Sequence, residues 1–203
     1  MVKSGPDIIE AEEWAGKKIG LLGGSFNPAH EGHLEISLIA LKRLELDAVW
    51  WLVSPQNPLK SAADMAALGT RMAHARSAAD DPRIHVTDLE AHFGSRYTVD
   101  TLDNLLTLLP ATRFVWLMGA DNLAQLPQWK DWKKIIQIVT FAIFDRPGYS
   151  SALEESEAAV YLRDSKIPAV QPAKLCSFNP PAWTIIRETE NPLSSTEIRR
   201  KKL

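Results

Sequence analysis

The eleven residues Gly23-Gly24-Ser25-Phe26-Asn27-Pro28-Ala29-His30-Glu31-Gly32-His33 constrain the fold of this chain more than any other stretch. The run ahead of them, Lys17 to Leu22, is short and apolar, the pattern of a buried strand, read here as stopping at Gly23-Gly24. After His30 the apolar residues Leu34, Ile36, Leu38, Ile39, Leu41 and Leu44 recur at an approximately helical spacing. The glycines therefore stand where a strand turns sharply and exposes its backbone before a helix begins. A second apolar run, Ala48 to Val53, completes a β-α-β unit.

The alternation continues. Helices are expected over 68–79, 98–108 and 132–138, and strands over 84–87, 113–118 and 139–144. This is the pattern of an α/β fold, a parallel sheet with helices on both faces. Ligands of such sheets sit beyond the carboxyl ends of the strands, so the turns after Leu22, Val53 and Met118 should converge on one crevice. Pro55-Gln56-Asn57-Pro58-Leu59-Lys60 reads as the start of a long loop there. The Ala/Glu-rich run near 151–160 reads as a solvated helix, and Arg71 as a surface arginine on the helix before the third strand. With 203 residues the expectation is one domain over 17–203, preceded by an extension, 1–16, of no assigned role.

The net charge of −2 supplies no global attraction to nucleic acid or to an anionic membrane, so any affinity for phosphate must be local. The single cysteine, Cys176, cannot form an intramolecular disulfide, which fits a reducing compartment. The first residues carry several acids and no continuous apolar stretch, and no run elsewhere reaches the roughly 18 apolar residues of a membrane span. A cytoplasmic protein is expected, with neither nucleic acid nor membrane as partner.

The glycine-rich turn has the chemistry of a triphosphate seat. Glycines let backbone N–H groups approach phosphate oxygens, and a helix start adds unpaired donors and a positive dipole end. Two histidines three residues apart can aim both imidazoles at one anion. At the other end of the chain, Leu193-Ser194-Ser195-Thr196-Glu197-Ile198-Arg199 sets hydroxyls ahead of a basic run; taken alone it reads equally well as an N-cap and the cationic end of a last helix.

Gly-x-Phe-x-Pro-x-His-x-Gly-His closely resembles the signature of the nucleotidylyltransferase superfamily, and Ser-Ser-Thr-x-Ile-Arg resembles its second signature, in the required order. The resemblance implies a Rossmann-like fold, that His30, His33 and Arg199 act on the triphosphate in catalysis, and that Gly24, Ser25, Phe26, Lys60, Ser194, Ser195 and Thr196 bind ATP. Asn57-Pro58-Leu59-Lys60, Tyr97-Thr98-Val99-Asp100-Thr101-Leu102, Gly119-Ala120-Asp121 and Leu126-Pro127-x-Trp129 extend it to the bacterial nicotinate-nucleotide adenylyltransferases. By that likeness Thr98, Asp121 and Trp129 hold the acceptor, nicotinate mononucleotide, with Trp129 stacked on the pyridine ring, a role that suits an indole face. Packing is the ordinary fate of a tryptophan, and the chain has seven. Position 27 departs from the family, with Asn where Asp is common, as does position 193, with Leu for Ile.

The implied reaction is attack by the acceptor phosphate on the α-phosphorus of ATP. Mg²⁺ is expected to arrive on the ATP phosphates, and no protein metal ligand is expected. The alternatives are an adenylyltransferase for nicotinamide mononucleotide or phosphopantetheine, and a nucleotide-binding module without catalysis.

Overall fold

The computed structural model describes residues 10–55, 65–145 and 155–189. Six strands form one sheet: β1 (Lys18–Gly24), β2 (Ala48–Val53), β3 (Ile84–Thr87), β4 (Arg113–Gly119), β5 (Thr140–Phe144) and β6 (Trp183–Ile186). Their order is β3-β2-β1-β4-β5-β6 and every pairing is parallel. The chain winds outward from β1 to one side, then returns to β4 on its other side. That reversal between β1 and β4 opens the crevice in which doubly wound sheets bind ligands.

Both faces are covered, so the strands read as unbroken apolar runs whose alternate residues enter two cores. Ile19, Leu21, Trp50, Leu52, Trp116 and Met118 face one side, where α5 (Thr98–Leu108), α6 (Ala120–Gln125) and α7 (Trp132–Ile138) pack. Leu22, Val49, Trp51, Val53, Val115 and Leu117 face the other, under α2 (Glu31–Arg43) and α3 (Leu68–Ala78). The neighbours Trp50 and Trp51 thus anchor opposite cores, both fully buried. Two short helices, α1 (Ala11–Trp14) and α4 (Leu89–His92), complete the first half, and α8 (Glu157–Tyr161) lies in the second.

The structure corrects four expectations. β1 does not stop at Leu22 but runs through both glycines, and the reversal begins at Phe26, whose φ of +46° lies in the left-handed region. Gly23 is required by packing: a Cβ there would stand 2.8 Å from Cη2 of Trp116 on the neighbouring strand. The run near 151–160 is not simply solvated, since Ala158 and Ala159 of α8 are buried in the first core. Strand β6 was not anticipated, its four residues lying in a stretch rich in prolines. Arg71, expected on the surface, is 1% exposed.

Of the segment ahead of the first strand, Trp14 is buried and meets Trp50 edge-on at 5.1 Å. Its carbonyl accepts a 2.8 Å hydrogen bond from Thr112 Oγ1, so this stretch packs onto the sheet. Cys176 is a buried free thiol, pushed up in pKa by that burial. No described helix is long and apolar enough to cross a membrane.

Candidate active site

The site is built first from the end of β1. Beyond Gly24 the chain turns through Ser25 and Phe26, both buried, and a cis Asn27–Pro28 peptide into α2. Phe26 stacks on Trp51 at 5.1 Å and 19°, and its other neighbour is the His33 ring at 4.6 Å. An apolar wall therefore fixes the turn.

His30 is the N-cap of α2 rather than a residue on its face. Its Nδ1 accepts from the backbone N–H of Gly32 at 3.2 Å, and Nδ1 of His33 accepts from the N–H of His30 at 3.2 Å. This reciprocal arrangement resembles a capping box with imidazoles in place of hydroxyl and carboxylate. The rings lie 3.9 Å apart. With Nδ1 accepting in both, the ring proton of each stands on Nε2, so the cap fixes the tautomer and leaves each histidine with a donor at its outer nitrogen.

Arg71 carries the turn from behind. From α3 its Nη1 donates to the carbonyls of Ser25 at 2.6 Å and Ser54 at 2.7 Å, Nη2 to Pro55 at 2.9 Å and Nε to Ala66 at 2.9 Å. Burial lowers its pKa, but a guanidinium remains charged. The four carbonyls belong to the turn after β1, the end of β2 and the far side of the 56–64 segment, so one side chain ties together the loops at the mouth. Asn27 reinforces this, its Oδ1 accepting from the N–H of Ala66 at 3.3 Å. Nothing in the spacing around Arg71 marks it as buried; the signal is tertiary.

A second group that nothing in the sequence marks is Glu90 on α4. It is buried, and its carboxylate is hydrogen-bonded by the hydroxyl of Ser54 at the end of β2. Burial raises its pKa to about 7, the Ser54 bond acting in the opposite direction. The Glu90 carbonyl accepts from the N–H of Ser95 at 2.9 Å, and Ser95 Oγ meets Thr101 Oγ1 at 2.8 Å. A polar chain thus runs from the β2 end to the first turns of α5.

Because the folded state holds the Glu90 proton more tightly than the unfolded chain does, its burial costs nothing below pH 4.5 and progressively more as pH rises to about 7. Glu90→Gln keeps an acceptor for Ser54 and removes the ionisation. The variant should be more stable than the parent by up to about 3 kcal/mol at pH 8 and gain nothing from this source at pH 4. Urea denaturation at the two pH values checks this; an equal difference at both would show that ionisation is not the cause.

The residues expected to hold the acceptor lie on the β4 side. Asp121 is in the first turn of α6 and caps nothing; its Oδ1 is buried with no hydrogen-bond partner among the described residues. Trp129, half-buried, follows a 3₁₀ turn (Leu126–Gln128) and meets Trp116 edge-on at 6.1 Å. Trp116 also lies against Gly23, so the wall carrying Trp129 rests on the strand that carries the histidine turn. Thr98 opens α5, half-buried, with Tyr97 as N-cap and no side-chain capping bond. Gly24, unlike Gly23, meets no clash among the described residues, the nearest atom to a Cβ there being one of the Phe26 ring at 3.5 Å. Lys60, Ser194, Ser195, Thr196 and Arg199 lie outside the described residues. Among the described residues no group of three or more His, Cys, Asp or Glu could hold a metal ion.

A family model described as cytidylyltransferase-like matches residues 21–201. A protein of Parvibaculum lavamentivorans named a probable nicotinate-nucleotide adenylyltransferase is 53% identical over 186 residues, 92% of each chain. One of Methylorubrum extorquens with the same name is 46% identical, covering 91% of this chain and all of the relative. Among solved structures, the Plasmodium falciparum nicotinic acid mononucleotide adenylyltransferase complexed with NaAD superposes with a TM-score of 0.67 at 21% identity, over 91% of this chain and 83% of that one, a likeness of fold. The motifs, the strand order and this similarity along nine-tenths of the chain agree: the chain belongs to the cytidylyltransferase-like nucleotidyltransferases and, among them, to the nicotinate-nucleotide adenylyltransferase family.

Proposed function

We propose that this protein transfers the adenylyl group of ATP to nicotinate mononucleotide, giving nicotinate adenine dinucleotide and pyrophosphate, a step of NAD biosynthesis in the cytoplasm. The observation that carries the reading is the His30–His33 cap at the end of β1, set at the β1/β4 switch point of a chain from this family.

The acceptor's 5′-phosphate oxygen attacks the α-phosphorus of ATP and pyrophosphate leaves in line. A phosphate monoester is nucleophilic at neutral pH, so the protein need supply only position and charge complementarity. The two Nε2–H groups donate to the triphosphate as charge moves onto the leaving pyrophosphate. Backbone groups of Gly24, Ser25 and Phe26 line the same phosphates, and Lys60, Ser194, Ser195, Thr196 and Arg199 are assigned to their outer oxygens. Mg²⁺ enters as part of the substrate, neutralising phosphate charge. On the acceptor side Asp121 offers its buried Oδ1, without a partner among the described residues, to a sugar hydroxyl, Trp129 its face to the pyridine ring, and Thr98 its hydroxyl to the ring carboxylate.

The test is pyrophosphate release from Mg·ATP with nicotinate mononucleotide, nicotinamide mononucleotide and phosphopantetheine offered separately, with the product identified. Turnover with nicotinate mononucleotide well above the other two is expected. Turnover only with another acceptor would overturn the substrate, and ATP binding without turnover on any of them would overturn the reaction.

A further inference from the structure

We propose that Lys130 sets the preference of the acceptor site for a ring carboxylate over a ring carboxamide, an inference that rests on the acceptor assignment above. Lys130 directly follows Trp129 in the chain. Its Nζ stands 4.7 Å from the centre of the Tyr97 ring and 3.2 and 3.3 Å from the two carboxylate oxygens of Asp100. Tyr97 and Asp100 flank Thr98, so the lysine next to the proposed ring-stacking residue is fastened to both sides of the proposed carboxylate-binding residue.

Two contacts hold this ammonium where a lysine would otherwise sweep through solvent: the negative face of an aromatic ring and a bidentate carboxylate. Neither is needed to join the helices. One turn further on, Lys134 Nζ lies 2.5 Å from Asp103 Oδ2 and ties α7 to α5 independently. What Lys130 adds is a positive charge held against Tyr97 and Asp100, the residues one before and two after Thr98 in the chain. A carboxylate and a carboxamide are nearly the same size and differ by a full charge. Shape cannot separate them, whereas an ammonium inside a Debye length can. Asp100 partly offsets that charge, so it acts as a counterweight as well as an anchor.

The experiment compares kcat and KM of the full chain and of Lys130→Met, Lys130→Arg and Asp100→Asn, with Mg·ATP and either nicotinate or nicotinamide mononucleotide. For Lys130→Met the KM for nicotinate mononucleotide is expected to rise about 10-fold, with the KM values for nicotinamide mononucleotide and ATP, and kcat, nearly unchanged. Lys130→Arg should retain most of the preference, and Asp100→Asn should preserve or increase it. Raised salt should weaken the acid acceptor's binding in the parent more than in Lys130→Met.

Equal losses with both acceptors, or a preference lowered as much by Asp100→Asn as by Lys130→Met, would make the lysine a structural tie and overturn the inference. So would an unchanged preference. Failure of the parent to use nicotinate mononucleotide would bring down the acceptor assignment and this inference together, and it is recognised before any substitution is made.

Discussion

His33→Ala should lower kcat for pyrophosphate release by about 10²- to 10³-fold, the loss typical of removing one donor from a preorganised anion site. The KM for ATP should change by much less. The reasoning starts from the cap. His33 spends its Nδ1 on the backbone N–H of His30, so its donor is the outer Nε2–H, and the Phe26 ring at 4.6 Å fixes the plane of the imidazole. A donor held in this way before substrate arrives needs no reorganisation when charge moves onto the leaving pyrophosphate, so its worth is greater in the transition state than in the ground state.

The substitution also removes a capping bond, at a cost of about 1 kcal/mol in stability. His33→Asn separates the two effects. An asparagine at this position can still accept from the His30 N–H, but it does not place a donor where Nε2 stands. It should restore stability without restoring kcat. Single-turnover rates beside urea denaturation of both variants would check this, and an alanine variant with nearly parental kcat would remove His33 from the transition state.

The fold was legible in the sequence because its signals are local. β2, β3, α2, α3, α5 and α7 lie within a residue or so of their expected bounds, as each couples an apolar period to a turn. β1 runs two residues past its expected end because glycine reads as a break. Here Gly23 is a strand residue made small by an indole on the adjoining strand, a cause that no window along one strand contains. β6 escaped for a similar reason, since Trp183–Ile186 is too short to show a period and is a strand because β5 lies beside it.

The site divides in the same way. The histidine turn announces itself by spacing, and Trp129 and Thr98 by family likeness. Arg71 and Glu90 have no such mark: one is an arginine in a helix, the other a glutamate after a strand, and both residue types are exposed in most proteins. Each becomes distinctive only through partners far along the chain, Ser25 and Ser54 for Arg71 and Ser54 for Glu90.

Arg71 accordingly carries the second large prediction. Arg71→Met should cost about 1–3 kcal/mol of stability, since it removes a guanidinium that donates to four carbonyls, of which that of Ser25 is buried and would lose this donor. Arg71→Lys should be intermediate, because a lysine keeps the charge but cannot reproduce the planar fork across carbonyls from three segments. Activity distinguishes a mere strut from a residue that shapes the nucleotide site. Below its melting temperature, Arg71→Lys should show a KM for ATP raised about 10-fold with a smaller change in the KM for the acceptor, because the carbonyls of Ser25, Ser54 and Pro55 belong to the turns proposed to frame the triphosphate and not to the Thr98–Trp129 wall. Steady-state kinetics with each substrate varied in turn, at a temperature where circular dichroism shows the variant folded, would decide the matter. Parental KM values in a variant of lowered stability would confine Arg71 to holding the fold together; a rise confined to ATP would mean that the loops at the end of β1 and β2 take their shape from a side chain buried behind them.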